Sequence, residues 1–311
     1  RDVERSRGLG DVYKRQGQPV PRGLDEDVSI LQEPLQNIYL VASGVMDMFA
    51  SVDAVDQIRF SGQKQENWYI QTAKDAMAAG DMIYAGKYSK PDYELLVSEG
   101  CDLAIENRMI THSPEVVEML QSFDIPVMIE YSSYEQHPLG KVEWVKFFGA
   151  LTGKEAEAEE AFAEQTEILE EVESGEKTGK TIAFFYVTSN GLIQVRQSTD
   201  YIPKLIELAG GRYIFEDLED SGSGRSTLNM QVEDFYAGAK DADILIYNSS
   251  IDGGVTTLDE LIGKCNILKD FKAVQEGQVY CTTNDMYQQS MAIGHLSVSY
   301  THLRAHETSL H

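Results

Sequence analysis

The segment KEAEAEEAFAEQTEILEEVES, residues 154–174, decides how this chain is organised. It contains no Gly or Pro and is dense in Ala and Glu. Its apolar positions Ala158, Phe162, Ile168, Leu169 and Val172 fall in one stripe at helical spacing. At 1.5 Å per residue, about 21 residues make a rod of roughly 31 Å, enough to run along a whole domain face. Its glutamates read as a solvated face. Upstream, Thr152-Gly153 separates this rod from an apolar helix through Val142, Trp144, Val145 and Phe148, with Trp144 assigned to the core. Downstream, the run GEKTG at 175–179 ends it.

On both sides of the rod, strands alternate with helices. Before it, QNIYLVA (36–42) is a short apolar run followed by Ser43-Gly44 and the stripe Val45, Met48, Phe49, Val52, which reads as strand, tight turn, helix. Ile58 to Phe60 and Met82 to Tyr84 are short strands. Tyr93 to Glu99 is a helix stopped by Gly100, and Cys101 to Ile105 is a buried strand. Ser113-Pro114-Glu115 opens a helix, with Ser capping the free amides and Pro tolerated at the first position, and Ile125 to Tyr131 is a further strand. After the rod come strand Thr181 to Val187, a tight turn at Asn190-Gly191, strand Leu192 to Val195 and helix Tyr201 to Leu208. A Gly/Ser loop at Ser221 to Ser226, helix Gln231 to Ala239 and strand Asp243 to Tyr247 follow. Helices near Leu258 to Ile262 and Leu268 to Val274 and strand Gln278 to Cys281 complete the alternation. This order predicts an α/β fold of two Rossmann-like lobes with mainly parallel sheets, joined by one long rigid helix, with a ligand cleft between the lobes. The expected boundaries are 17–137 for the first lobe, 138–176 for the linking helices and 177–296 for the second. The two halves echo each other: ELLVSEGCDLAI from Glu94 matches EDFYAGAKDADILI from Glu233 if two residues are inserted in the second. Each copy has an acid opening a short helix and another acid directly before a buried strand.

The chain has 311 residues, 42% of them hydrophobic, with 26 Lys+Arg against 51 Asp+Glu and a net charge of −25. Such acidity repels phosphate and argues against nucleic acid as a partner. No apolar run is long enough to span a bilayer. Residues 1–16 and 297–311 show neither helical nor strand periodicity and resemble translated adaptor or vector sequence, so both are set aside from fold reasoning as non-native tails. The remaining body, 17–296, carries 20 basic and 47 acidic residues. On this reading the natural N-terminus with any export signal is missing, and the last helix of the second lobe is cut off near Leu296. Cys101, Cys265 and Cys281 lack metal spacing and are odd in number, so they read as reduced and mostly buried.

Five segments carry a family resemblance: Ile38 to Phe49 (IYLVASGVMDMF), Tyr84 to Leu96 (YAGKYSKPDYELL), Ile125 to Tyr131 (IPVMIEY), Leu151 to Ala158 (LTGKEAEA) and Asp241 to Tyr247 (DADILIY). In this order, with the long helix among them, they resemble the substrate-binding proteins of ABC importers for iron complexes and cobalamin. The resemblance implies an extracytoplasmic receptor, periplasmic or a lipoprotein on the outer face of the membrane. Such a receptor is a monomer that captures a siderophore–iron complex, haem or corrinoid and delivers it to a permease, with no cofactor of its own. It further implies that Glu94 and Glu233, one on each lobe, meet arginines of the permease. A helix-start carboxylate also serves local capping, which is the plainer role for both.

Ligands meet α/β lobes at the loops following the carboxyl ends of strands. In those loops and nearby, Lys87, Arg108, Arg196 and Arg225 could pair with carboxylates or a phosphate of the ligand, and Asn107 and Asn248 supply amides. Solvated or salt-bridged surface positions are the alternative for each base. Trp68, Tyr69, Tyr88, Tyr131, Tyr134, Tyr186 and Tyr287 could stack on a conjugated or macrocyclic ligand, or simply pack. Outside the tails only His112, His137 and His295 remain, without metal spacing, so no protein metal site is expected. G-x-S-x-G, G-x-x-x-x-G-K and strand-linked G-x-G-x-x-G are absent, which argues against an enzyme. Ser221 to Ser226 lacks the preceding strand of a phosphate loop and reads as a mobile lip. An enzyme acting on a metal chelate on the same scaffold, and a receptor for free metal ions, are the alternative functions.

Overall fold

The computed structural model describes residues 12–15, 23, 30–33, 35–175, 177–219, 226–251 and 254–292. Arg225 and most of the Ser221 to Ser226 loop lie outside the described residues, as do His295 and the 297–311 tail. The chain forms two compact units, Arg1–Ser132 with Glu143–Ala163 and Ser133–Val142 with Glu164–His311.

In the first unit β1 (Val12–Arg15) and β2 (Ile30–Glu33) make a parallel pair of their own. β1 lies inside the stretch set aside above, where the sequence has no strand periodicity. The elements that follow are β3 (Ile38–Leu40), α1 (Met46–Ser51), β4 (Phe60–Ser61), α2 (Gln71–Ala79) and β5 (Ile83–Tyr84). Next come a small hairpin of β6 (Gly86–Lys87) and β7 (Lys90–Pro91), then α3 (Tyr93–Ser98), β8 (Leu103–Glu106), α4 (Pro114–Ser122) and β9 (Val127–Ile129). The sheet is wholly parallel, in the order β5-β4-β3-β8-β9. The Asp92 carboxylate caps α3 by accepting from the Leu95 N–H at 3.1 Å. Pro114 occupies the first position of α4 as expected, but the Ser113 hydroxyl makes no capping bond. Ser113 also closes the preceding 3-10 turn, donating its N–H to Ile110, and its ψ of 59° lies outside the extended region from which a cap side chain reaches back.

The expected pair of helices is present as α5 (Pro138–Thr152) and α6 (Glu155–Glu173), broken at Gly153 with φ +68°. At 19 residues α6 is roughly 28 Å long. A Cβ on Gly149 would come within 2.4 Å of the Ala158 Cβ, so two small residues let α5 and α6 approach closely.

The second unit contains β10 (Thr181–Val187), β11 (Ile193–Arg196), α7 (Tyr201–Leu208), β12 (Arg212–Tyr213), β13 (Thr227–Met230), α8 (Val232–Ala239), β14 (Ile244–Tyr247), α9 (Leu258–Lys264), α10 (Lys272–Gln275) and β15 (Val279–Cys281). Its sheet runs β13-β11-β10-β14-β15, with β12 also on β10. β10, β14 and β15 are parallel, whereas the turn at Asn190-Gly191, with Gly191 at φ +80°, sends β11 back antiparallel. Phe185, Phe235, Phe271 and Tyr247 fill the core, with ring centroids 4.9–5.6 Å apart along the cluster.

The echo between the halves has a physical basis. Asp102, before β8, accepts the N–H groups of both Gln36 and Asn37 at 3.0 Å, just ahead of β3. Asp243, before β14, accepts the N–H (2.8 Å) and hydroxyl (2.9 Å) of Thr181 at the head of β10, and the Lys272 ammonium binds its other oxygen. The Lys272 bond, then those from Thr181, hold the Asp243 carboxyl at about 2, below its ordinary 3.8. The folded state therefore favours the ionised form, and this contribution is present above the ordinary carboxylate pKa and lost as pH falls toward 2. Asp243→Asn should lower stability by about 1–3 kcal/mol near neutral pH in urea unfolding, and the gap from the wild type should close in acid.

Candidate functional site

Each sheet has a point where the chain reverses its direction of growth. In the first unit β4 and β5 are added on one side of β3, and β8 and β9 on the other. In the second, β11 and β13 lie on one side of β10, and β14 and β15 on the other. The crevice at such a switch point opens at the carboxyl ends of the two central strands, here β3 with β8 and β10 with β14.

In the first unit the N–H groups of Val41 and Ala42 both donate to the Ile105 carbonyl, at 2.9 and 3.1 Å. Gly62 presses against this turn, since a Cβ there would lie 2.8 Å from the Val41 Cα. Glu106 ends β8. It is fully buried, and neither of its carboxylate oxygens has a hydrogen-bond partner among the described residues. Burial pushes its carboxyl up to about 8. The Tyr39 phenol is also pushed up, first by burial and then by Glu106, and the Tyr93 phenol by burial, then Glu115, then Glu106. The Asn107 side chain accepts from the Met109 N–H at 2.9 Å and starts a 3-10 turn, Arg108–His112. At the end of β9 the Glu130 carboxylate accepts from the N–H and hydroxyl of Ser132, at 2.9 and 2.7 Å.

The second unit repeats the asparagine turn of this pattern. Asn248 follows β14 as Asn107 follows β8, and its side chain accepts from the Ser250 N–H at 3.2 Å and hydroxyl at 2.6 Å. The Ser249 N–H donates to the Thr282 hydroxyl at 2.9 Å. The Ser249 hydroxyl and one oxygen of Asp285 are buried without a partner among the described residues. Gly254, at φ +78°, fits where a Cβ would meet Asn284 and Ser249 at 2.7 Å. Both sheets thus carry unsatisfied buried polar atoms at their carboxyl edge, where folding alone ordinarily pairs nearly all of them.

The residues singled out from sequence separate into three groups. Asn107, Arg108 and Asn248 stand at these strand ends, and Tyr131 follows β9 with its ring 40% exposed. Lys87 is exposed on the β6–β7 hairpin and Tyr88 packs partly against the core; Tyr69, Tyr134 and Tyr287 are exposed rings. Trp68 belongs instead to the core, its indole N–H donating to the Ser61 hydroxyl at 3.0 Å. Tyr186 is likewise a core ring, 6.1 Å from Tyr247. Arg196 pairs with the buried Asp200 at 3.4 Å and lies over Phe184, a structural role. Glu94 and Glu233 are both exposed in the first turns of α3 and α8, and Glu94 edges an apolar groove of about 390 Å³ with Tyr93, Val97 and Phe123. Sequence reading places Glu106 and Ser249 in ligand-facing loops, Glu106-Asn107-Arg108 and Asn248 to Asp252, without singling either out, and passes over Asp285; for Glu106 a further signal is a carboxylate closing the apolar strand LAIE. All three cysteines are free, with Cys281 exposed. Among the described residues no group of three His, Cys, Asp or Glu is placed to hold a metal ion, and no helix is long and apolar enough to cross a membrane.

Comparison with known proteins agrees with this fold. The chain is 26% identical over 294 residues to the uncharacterized lipoprotein MJ0878 of Methanocaldococcus jannaschii, covering 89% of this chain and 67% of that protein. A second lipoprotein of that organism, MJ0872, is 26% identical over 222 residues, and the match spans 55% of its length. Among solved structures, the periplasmic heme binding protein HutB of Vibrio cholerae superposes with a TM-score of 0.66 at 14% identity, covering 84% of this chain and 97% of HutB. The periplasmic catecholate-siderophore binding protein VctP of Vibrio cholerae gives 0.66 at 12%, covering 88% and 95%. The periplasmic binding protein family matches residues 41–286, most of the length and both units, and the chain belongs to that family.

Proposed function

We propose that the chain is the extracytoplasmic receptor of an ABC importer, capturing a metal chelate or tetrapyrrole (siderophore–iron, haem or corrinoid) and handing it to a membrane permease without chemical turnover. The observation that carries this reading is the set of unpaired buried polar atoms at the carboxyl ends of β8, β14 and β15, in a fold whose family binds solutes. Exposed rings nearby in sequence, Tyr131, Tyr134 and Tyr287, add apolar faces with hydroxyl handles, the surface a large conjugated or macrocyclic ligand needs. Relatives named as lipoproteins and structural neighbours named for haem and a catecholate siderophore support the location and the ligand class. A receptor of this kind works as a monomer, and its partner is the permease.

Titration calorimetry against haemin, a ferric hydroxamate, a ferric catecholate and cyanocobalamin should find tight binding, Kd about 1 μM or below, for one of the four, with the ligand recovered intact. Binding of none, or conversion of the bound chelate, would refute the proposal.

Glu94 and Glu233 hold matching places on the two units, and exposed rim charges govern encounter and register more than affinity. Replacing both by Ala should leave solute affinity unchanged and remove stimulation of the importer's ATPase in proteoliposomes. Retained stimulation, or lost solute binding, would show that these residues are not the docking points.

A further inference from the structure

Glu106 stands at the switch point of the first sheet, one residue in from the surface turn that carries Met109, itself 48% exposed. Its two oxygens have no partner among the described residues, while its main chain is held firmly, its carbonyl accepting from the Glu130 N–H at 2.9 Å. On the strands and α-helices around it the titratable side chains include Tyr39 on β3, Tyr93 on α3, Glu115 on α4 and Glu130 after β9, all aromatic or acidic, while Arg108 and His112 lie on the 3-10 turn just beyond it. Burial alone raises the Glu106 pKa, with no cation acting on it. A buried carboxyl without a donor or a counter-charge is costly to keep, and it is kept where an incoming group completes it. A carboxylate among phenol rings, in a body of 20 basic and 47 acidic residues, is the environment that attracts a positively charged nitrogen.

We propose that Glu106 is the anchor for a cationic nitrogen, an ammonium-type group, on the bound solute. The inference rests on the reading that the strand ends of the first unit take the solute. In the empty receptor the carboxyl keeps its proton. The arriving ammonium keeps its own protons and forms an ion pair with the carboxylate, and the carboxyl proton leaves to solvent, so binding is accompanied by release of one proton. The solute class is therefore a chelate with a free amine.

The proton is read directly by carbon-13 NMR of Glu-labelled protein. One glutamate should titrate near pH 8, be missing from Glu106→Gln, and shift to lower pH in excess methylammonium chloride but not in sodium chloride at equal strength. A second arm compares ferrioxamine B, which bears a free ammonium, with its N-acetylated form. The wild type should prefer the amine by about tenfold or more, and Glu106→Gln, an isostere of the neutral acid, should lose the preference. A Glu106 that titrates in the ordinary carboxylate range, a midpoint that methylammonium leaves unchanged, or equal affinity for the two hydroxamates overturns the anchor. If neither hydroxamate binds while methylammonium still shifts Glu106, the anchor stands and the hydroxamates are excluded as cargo, so the two readings fail separately.

Discussion

Asp102 and Asp243 each stand immediately before the strand that follows the switch point of their own sheet, and with one carboxylate oxygen each takes an N–H at the head of the neighbouring strand, Asn37 just ahead of β3 and Thr181 opening β10. Parallel pairing has no hairpin turn to set its register, and a slip of one residue would carry every side chain to the opposite face. The clamp supplies the missing constraint. It aligns Ile38 with Leu103 and Ile182 with Ile244, and everything further along the two ladders follows from those pairs. Glu106 and Tyr247 end their strands at equal distances from the clamps, and Asn107 and Asn248 then make the same side-chain turn just beyond.

The two clamps are not equally strong. Asp102 binds two backbone amides, whereas Asp243 adds a hydroxyl and the Lys272 ammonium, a charge-assisted bond from the first residue of α10. The second sheet also has more to hold: a mixed sheet whose β11 runs against both β10 and β13, over an aromatic core in which Phe235 meets both Phe185 and Phe271. The clamps thus lie at the amino edge of each sheet, while Glu106, Ser249 and Asp285 leave buried polar atoms unpaired among the described residues toward the carboxyl edge; Gln57 Oε1, ahead of β4, is unpaired as well.

Much of this was legible in the residues alone. β10 and α7 begin and end where the pattern of TIAFFYV and YIPKLIEL places them, because a strand buried on both faces and a strongly one-sided helix each have a period no loop imitates. The helix pair α5 and α6, the Asn190-Gly191 turn and the acid-before-strand echo are likewise written locally. β13 was not, since TLNM is half-exposed with weak alternation and becomes a strand only because β11 offers it a free edge. The helix expected over Leu268 to Val274 divides into a 3-10 turn, Asn266–Asp270, and the short α10, because Phe271 takes an extended backbone to enter the aromatic core.

For the site, the sequence determined which residue types were available and which loops would carry them; tertiary packing decided which way each one faced. Trp68 and Tyr131 have similar chemistry, yet one is buried against Ser61 and the other exposed, because an aromatic ring suits a core and a ligand equally well. Arg196, which looks like a ligand base in sequence, ends β11 beside Asp200, the capping residue of α7, and is paired with it. Glu106 is the reverse case. In sequence it is the polar end of an apolar strand, and only the assembled sheet makes it a buried carboxyl whose oxygens have no partner among the described residues. Burial and the absence of a partner depend on residues far apart in the chain, and no local pattern encodes them.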